Sequence, residues 1–189
     1  MAGAKYCMSA TLRRLAILLL VIDTFGSACA ATIEKPQLAI WKTQELTLDY
    51  VGFTSHYSCD GLRDKVEQVL ILLGARKDDL TVTPYPCSRA GRPEPLPSVR
   101  IKVSALRPAD AAAASGAVEA QWKTVNLAGA DKLTPGDCEL AEQVRDKILP
   151  LFSTRNLKAQ TECVPHQEPS GNILFTVDVL VLVRNSVVR

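Results

Sequence analysis

Aromatic residues, histidine and methionine are scarce in this chain. Of its 189 residues, 5% are aromatic, and there are two histidines and two methionines. Several enzyme motifs are also missing: the sequence has no C-x-x-C pair, no G-x-S-x-G nucleophile elbow and no glycine-rich phosphate loop. Thiol exchange, elbow-type hydrolase chemistry and phosphate binding at a helix start each depend on one of these motifs. The sequence therefore argues against all three activities.

The apolar runs are short, and the first of them belongs to a leader. Residues 15–22 form an apolar run of eight, far below the roughly 20 residues that a membrane span needs. Basic residues precede it, and Ala28-Cys29-Ala30 follows it as a small-x-small site. This is the pattern of a signal peptide over residues 1–30, cleaved near Ala30. We expect a periplasmic or secreted protein with no transmembrane anchor in the mature chain.

A lipoprotein is the alternative interpretation of the leader. Cys29 would then be acylated and kept as the first mature residue, and the acyl chains would hold the protein on the membrane. Gly26 stands three residues before this cysteine, where a large aliphatic residue is usual. This makes the lipoprotein the weaker of the two interpretations.

Acidic and basic residues are equal in number in the predicted mature chain. Cleavage removes Lys5, Arg13, Arg14 and Asp23, and leaves 19 basic and 19 acidic residues among 159. The chain also has no lysine or arginine block, so it shows no electrostatic footprint for nucleic acid or an anionic membrane. Its length suits one domain, residues 31–189, with a single core.

Four cysteines remain in the mature chain. They are Cys59, Cys87, Cys138 and Cys163. An even number in an exported chain predicts two disulfides, and spacing alone leaves three pairings open.

One amphipathic helix organises the first half. In residues 56–74, Leu62, Val66, Leu70 and their apolar neighbours repeat at helical spacing on one face. Ser58 or Asp60 can cap its start, and Gly74 can adopt the left-handed conformation that ends it.

The pattern around this helix is strand, helix, strand, strand, and it recurs in the second half. Alternating apolar residues predict strands near 45–51, 80–83 and 99–103, and then near 118–127, 157–163 and 173–183. We expect an α+β fold: a two-layer sandwich with a mixed sheet of about six strands and two helices on one face. Its topology would be ferredoxin-like or a doubled βαββ unit. Residues 31–44 are predicted to be loosely ordered, and a bulge is expected near residues 123–124.

The two halves resemble imprecise repeats, at about 45–106 and 118–183. Arg63-Asp64-Lys65-Val66 is echoed by Arg145-Asp146-Lys147-Ile148. Four residues specify little, so chance similarity remains an alternative to duplication.

The order of elements selects one disulfide pairing. When a helix connects two strands that run in the same direction, the second strand ends near the start of the helix. We therefore predict bonds from Cys59 to Cys87 and from Cys138 to Cys163.

The sharpest chemical motif is a mirrored pair, His56-x-x-Cys59 and Cys163-x-x-His166. Together they would supply two nitrogens and two sulfurs for a tetrahedral metal. Because the thiols are expected to be oxidised, we predict no metal site and no cofactor, and keep His56 and His166 as weak candidates only. No catalytic residue is predicted: Ser58 and Asp60 have roles as caps, and the helix carboxylates Glu139, Glu142 and Asp146 are interpreted as a solvated face.

Two stretches resemble a known family. Y-S-C-D-G-L-R-D-K at residues 57–65 and Q-W-K-T-V at residues 121–125 are similar to a family of small exported bacterial proteins of unknown function. The resemblance covers most of the mature chain. It implies a bacterial envelope location and supplies no activity, ligand or catalytic residue.

The sequence thus predicts a non-catalytic binding or accessory module that takes an unknown protein or small ligand in the cell envelope. The alternative is an envelope hydrolase or metal-handling protein that uses the region of His56 and His166. If Trp41 and Trp122 leave an apolar patch on the second face of the sheet, a protein partner or a homodimer is indicated.

Overall fold

The computed structural model describes residues 35–87, 91–110, 115–161, 163–167 and 173–183. The predicted signal peptide, residues 1–30, lies outside these ranges, and so does the acylation alternative at Cys29. The elements in chain order are β1 (Gln37–Asp49), α1 (Cys59–Leu72), β2 (Thr81–Pro84), β3 (Ser98–Pro108), β4 (Val118–Asn126), α2 (Cys138–Gln143), β5 (Thr154–Gln160) and β6 (Leu174–Leu182). Helix α2 continues through a π-helical turn, Val144–Ile148, and a 3-10 turn, Leu149–Leu151.

The strands form one six-stranded sheet in the order β2-β3-β1-β4-β6-β5. The α+β class is therefore confirmed. The prediction of a mixed sheet is wrong, because each neighbouring pair is antiparallel. Strands β1 and β2 do run in the same direction, but β3 lies between them, and β6 separates β4 from β5 in the same way.

The signals at the ends of α1 are confirmed. The Ser58 hydroxyl accepts a hydrogen bond from the Gly61 N–H at 3.1 Å, which satisfies a backbone donor that has no partner within the helix. Gly74 has φ of 87°, the left-handed conformation that lets the chain leave the helix without a Cβ clash. The capping residues of this helix could therefore be identified from the local sequence.

Both helices bury side chains in a single hydrophobic core. Leu62, Leu70, Leu140 and Ile148 are each 0% exposed and belong to the same cluster of buried residues. Alternate residues of the strands complete it, with Val99, Ile101 and Val103 from β3 and Phe175, Val177 and Val179 from β6. This core holds the two halves of the chain together.

Two expectations about strands β1 and β4 are wrong. Strand β1 begins at Gln37, so residues 37–44 are strand rather than a loosely ordered segment. Strand β4 pairs with β6 without a register shift at residues 123–124. The irregularity lies instead in β5, between Arg155 and Lys158, where Asn156 has φ of 52°.

The earlier start of β1 reveals a pattern that the two halves share. Strand β1 contains A-I-W-K-T at residues 39–43, and β4 contains A-Q-W-K-T at residues 120–124. The two strands pair with each other through Gln37 with Ala120 and through Ala39 with Val118. The counterparts of Gln37 and Ala39, 81 positions later, are Val118 and Ala120. The pair Gln37 with Ala120 is therefore the symmetry equivalent of the pair Ala39 with Val118. The pairing therefore has a local two-fold centre, at Leu38 and Glu119.

Hydrogen bonds repeat at positions that the strand registers make equivalent, 81 residues apart in β1 and β4 and 74 residues apart in β3 and β6. Thr43 and Ser104 join their hydroxyls at 2.8 Å across β1 and β3, and Thr124 donates to Asp178 at 2.6 Å across β4 and β6. At the ends of the same strands, the Ala109 N–H donates to the Leu38 carbonyl and the Val183 N–H to the Glu119 carbonyl, both at 3.0 Å. Equivalent positions in the two halves can therefore be assigned from the strand registers.

The two tryptophans pack outside the main hydrophobic core. Trp41 and Trp122 are half-buried, and they pack against a small second cluster formed by Ala39, Leu106, Ala120 and Leu180. An arginine lies over each ring, with Arg155 4.4 Å from the centroid of Trp122 and Arg76 5.8 Å from that of Trp41. Neither ring is therefore a bare apolar surface, and the predicted partner or homodimer stays a prediction.

Candidate functional site

The four cysteines form two disulfides. Cys59 is bonded to Cys87, with 6.1 Å between the Cα atoms, and Cys138 is bonded to Cys163, with 5.6 Å. These are the pairs that the topological argument predicts, and each ties the first residue of a helix to the chain beyond β2 or β5. Two disulfides are consistent with an oxidising, extracytoplasmic location.

The loops that carry the two histidines meet at one end of the molecule. The Thr54 hydroxyl donates to the Val164 carbonyl at 3.4 Å, and the rings of Phe53 and His166 lie 5.7 Å apart. Both histidines are exposed, and the imidazole of His166 packs against Phe53. The region is therefore assembled as a surface, with one histidine held by an aromatic contact.

The two histidine-cysteine motifs do not combine into a metal centre. The sulfurs of Cys59 and Cys163 are both bonded to other cysteines. In the part of the chain that the structure describes, one group of three potential ligands has its donor atoms within 4.8 Å of one another, and it consists of Cys59, Cys87 and Glu94. Neither histidine belongs to it, so the spacing of the motifs does not translate into shared coordination.

Glu139, interpreted from sequence as part of a solvated face, is buried, and that interpretation is wrong. Its carboxylate accepts hydrogen bonds from the N–H groups of Phe53 at 2.9 Å, Thr54 at 3.0 Å and Ser55 at 3.5 Å. Burial by itself would raise the pKa of Glu139, but these donors outweigh it and hold the pKa below its usual value. The carboxylate thus fixes the loop between β1 and α1.

Asp137, two residues earlier, is enclosed in the same way. It accepts from the Tyr57 hydroxyl, from the Lys65 ammonium at 3.0 Å and from the backbone and hydroxyl of Thr134, both at 2.8 Å. Burial again acts to raise the pKa, and the bonds from Tyr57, Thr134 and Lys65 lower it below the ordinary value. The Asp137 carboxylate is therefore ionised and fully committed to internal partners.

Two tyrosines complete this network. Tyr50 donates to the Ser55 carbonyl at 2.9 Å and lies 3.5 Å from Glu139, and its ring packs edge-on against that of Tyr57 at 4.9 Å. Burial, followed by the nearby carboxylates, raises the pKa of both phenols. General acid-base catalysis needs a group that can reach a substrate proton. In this network polar groups of the first half hydrogen-bond carboxylates of the second, so the network joins the two halves.

A pocket of about 450 Å³ lies at the junction of the two halves, beside the end of α1. We call it the Trp41 pocket. Both halves contribute to it, since α1 and β1 belong to the first and β4 and β6 to the second. Its lining residues are Trp41, Ile71, Leu72, Gly74, Ala75, Arg76, Lys77, Gln121, Lys123, Val181 and Leu182. Ligand sites are usually concave and of this size, and they favour the boundary between two packed units.

The lining of the Trp41 pocket has charges of one sign. Arg76, Lys77 and Lys123 are its charged residues, and no carboxylate lines it in the described part of the chain. Asp79 is nearby and pairs with Arg76 at 3.4 Å. The remaining lining is mainly apolar. The pocket therefore combines an apolar wall with a basic rim.

In the other half, the residue equivalent to Val181 is an arginine that contacts the chain beyond α2. Ala39 pairs with Pro108 and Ala120 with Leu182, so Arg107 of β3 corresponds to Val181 of β6. The Arg107 guanidinium donates to the carbonyls of Pro150 at 2.8 Å and Phe152 at 3.0 Å, just beyond α2.

Val181 lies at the corresponding place just beyond α1. A Cβ on Gly74 would come within 2.9 Å of the Val181 side chain. Valine has no polar group for the carbonyls there and is much shorter than arginine. The Trp41 pocket thus lies beside the end of α1, where the neighbouring strand has Val181 at the position that is Arg107 beside the end of α2.

Sequence reasoning missed the Trp41 pocket and the acid-tyrosine network. The repeat of A-x-W-K-T, 81 residues apart, could have indicated the local symmetry and with it the pocket. No comparable signal marks Glu139 as buried.

Comparisons with family models, with curated proteins and with solved structures gave no match for this chain. None of the helices in the described ranges is long and apolar enough to cross a membrane.

Proposed function

We propose that this protein is a non-catalytic binding module of the bacterial envelope, exported to the periplasm or secreted, with the Trp41 pocket as its ligand site. The observation that carries the proposal is the replacement of Arg107 by Val181 at equivalent positions. Beside the end of α2, the guanidinium of Arg107 from β3 is hydrogen-bonded to two carbonyls. Beside the end of α1, where Val181 of β6 has the equivalent position, there is a pocket of about 450 Å³.

We further propose that the chain is a duplicated βαββ unit, folded as two layers with both helices on one face. The strand order, with each half contributing three adjacent strands, favours this arrangement over a ferredoxin-like one. The repeated A-x-W-K-T pattern and the equivalent Thr43 and Thr124 hydrogen bonds support it. Duplication also accounts for a pocket at the junction, because a single unit would lack half of its wall.

The acid-tyrosine network supports a non-catalytic role. Its two carboxylates are perturbed in pKa, which is common at active sites. Structural hydrogen-bond networks shift pKa values in the same way, and both carboxylates here accept several hydrogen bonds from protein groups. A binding role needs only the pocket and a rigid frame around it, and the two disulfides and the network supply that frame.

Filling the pocket tests the proposal. Val181→Arg places in β6 the side chain that β3 already has, and Leu174→Arg adds the same charge at an exposed position of the same strand. Protein purified from periplasm without denaturation would be examined by native mass spectrometry. We expect a bound small molecule on the wild type and on Leu174→Arg, and none on Val181→Arg.

A folding control accompanies this test, because Val181→Arg introduces a large side chain. Thermal unfolding and disulfide mapping should match the wild type before the binding result is used. If Val181→Arg does not fold, Val181→Met narrows the pocket with less added volume and should reduce occupancy. A ligand retained by a folded, filled variant would contradict the assignment of the site.

The second candidate function is an envelope hydrolase or metal-handling protein that uses His56 and His166. The contact between Thr54 and Val164 favours it, because it brings the two histidine loops to one end of the molecule. Metal analysis of periplasm-purified protein separates the candidates. A stoichiometric metal that is lost in the His56→Ala, His166→Ala double variant would support the second function and displace the first.

A further inference from the structure

We infer that the ligand of the Trp41 pocket is a soluble amphiphilic anion: a small molecule with one carboxylate or phosphate group on an apolar body. The inference rests on the proposal that this pocket is the ligand site, and it adds the chemistry of the ligand. Two properties of the lining carry it: an apolar wall formed by both halves, and a rim with cations but no anions.

The apolar wall would hold the body of the ligand. Ile71 and Leu72 come from the last turn of α1, and Val181 and Leu182 from the end of β6. Leu182 is 42% exposed, although it lies beside a concave surface. Covering this surface with an apolar group would remove it from water, which is favourable in proportion to the area buried.

The basic rim would hold the anionic group. Within the described residues, Lys77 and Lys123 make no ion pair and no side-chain hydrogen bond, and both are exposed. Arg76 shares its charge with Asp79 at 3.4 Å. The ammonium groups of Lys77 and Lys123, at the edge of one pocket, therefore have N–H groups without an acceptor among the described residues. A carboxylate or phosphate would accept charge-assisted hydrogen bonds from them.

The nearby end of α1 does not cancel this attraction. A helix C-terminus carries partial negative charge on its last carbonyls and would repel an anion. Three of these carbonyls already accept backbone hydrogen bonds at 3.0 Å: Val69 from Leu73, Ile71 from Gly74, and Leu70 from Ala75. The cations on the rim are thus the uncompensated charges beside the pocket.

The overall charge favours a soluble ligand over a membrane surface. The predicted mature chain has equal numbers of acidic and basic residues, so it lacks the broad basic surface that anionic bilayers attract. The pocket concentrates positive charge locally, on a scale that suits one anionic group. We therefore assign the site to single molecules in solution.

The test uses Trp41 as the reporter. The chain has two tryptophans, of which Trp41 lines the pocket, so Trp122→Phe leaves Trp41 as the single tryptophan, and its emission can be excited selectively over that of the tyrosines. The probes are octyl phosphate, the neutral octyl glucoside with the same tail, and inorganic phosphate. We expect octyl phosphate to shift the Trp41 emission saturably, and each of the other probes to bind at least about tenfold more weakly.

Charge removal is tested with a matched control. In the Trp122→Phe background, Lys77→Gln with Lys123→Gln should weaken octyl phosphate binding by at least about tenfold, the effect of losing charge-assisted hydrogen bonds. Lys102→Gln removes an exposed lysine of β3 away from the pocket and should leave binding unchanged.

The outcomes separate this inference from the proposed function. If octyl glucoside binds as well as octyl phosphate and the lysine variants have no effect, the site exists but takes a neutral ligand, which overturns the inference alone. If neither octyl compound binds and native mass spectrometry finds no ligand, both proposals fail. Binding to phosphatidylglycerol vesicles without binding to monomeric octyl phosphate would also overturn it, since the source would be a membrane surface.

Discussion

The hydroxyl of Tyr57, two residues before α1, donates a hydrogen bond to the carboxylate of Asp137, the residue immediately before α2. The starts of the two helices are therefore neighbours, although they belong to different halves of the chain. Helix starts carry partial positive charge, and two carboxylates, Asp137 and Glu139, lie where those charges meet. The network thus balances the helix ends and locks the two halves together.

Removing the hydroxyl of Tyr57 should therefore destabilise the whole domain. Tyr57→Phe keeps the ring contact with Tyr50 but leaves the buried Asp137 carboxylate without one donor. We expect a loss of about 1 to 3 kcal/mol in the free energy of unfolding, measured by urea denaturation. Tyr85→Phe removes a hydroxyl from an exposed tyrosine and should change it by less than about 0.5 kcal/mol. Equal effects of the two changes would contradict the role given to the network.

The network also predicts how stability depends on pH. The folded pKa values of Asp137 and Glu139 are lowered, so their contribution is complete above the unfolded values near 4 and is lost as the pH falls below them. The pKa values of Tyr50 and Tyr57 are raised, so their contribution is present below about pH 10 and is lost above it.

Denaturation from pH 2 to 11 would check this. We expect a plateau between about pH 5 and 9 with a fall on both sides. Asp137→Asn should lower the plateau and flatten the acid limb, whereas Asp64→Asn, at an exposed position of α1, should leave the limb unchanged. An acid limb of equal slope in wild type and Asp137→Asn would rule out Asp137 as a source of the pH dependence.

The features that the sequence predicts well depend on nearby residues or on chain direction. Ser58 and Gly74 act within a few residues, so their roles can be assigned without knowing the fold. The disulfide partners follow because β1 and β2 run in the same direction, which holds whether or not they pair. The insertion of β3 between them leaves that argument intact.

The features that were missed depend on contacts between distant residues. Glu139 has the spacing of an exposed helix residue, and only the loop at residues 53–55, more than 80 positions away, makes it buried. The mixed sheet was predicted because a helix between two strands suggests adjacent parallel partners, and sequence does not show that a third strand separates them. Trp41 lies in a segment without a clear alternating pattern, so the first part of β1 and the pocket were both missed.

The two disulfides should each contribute to stability. The bonded cysteines are 28 and 25 residues apart, and cross-links that close loops of this size contribute about 3 to 4 kcal/mol in the chain-entropy account. We expect this loss in the free energy of unfolding for Cys59→Ser with Cys87→Ser, and a similar loss for Cys138→Ser with Cys163→Ser. Losses below about 1 kcal/mol would contradict this contribution to stability, and reactive thiols at these positions in the native wild type would contradict the pairing.

The approach of Gly74 to Val181, which shapes the Trp41 pocket, can be measured directly. Gly74 has φ of 87°, and a Cβ there would lie 2.9 Å from the Val181 side chain, whereas Gly116 has φ of 85° and no atom within 4 Å of such a Cβ. Gly116→Ala should therefore cost only the backbone strain, about 1 kcal/mol. Gly74→Ala should cost at least about 1 kcal/mol more, because the added methyl group overpacks the contact.

Val181→Ala should lower that excess in the Gly74→Ala background, with a coupling of at least about 0.5 kcal/mol in a double-mutant cycle. Equal costs for the two glycines, or zero coupling, would show that Val181 does not lie against the end of α1, and the wall of the pocket would then have to be assigned to other residues.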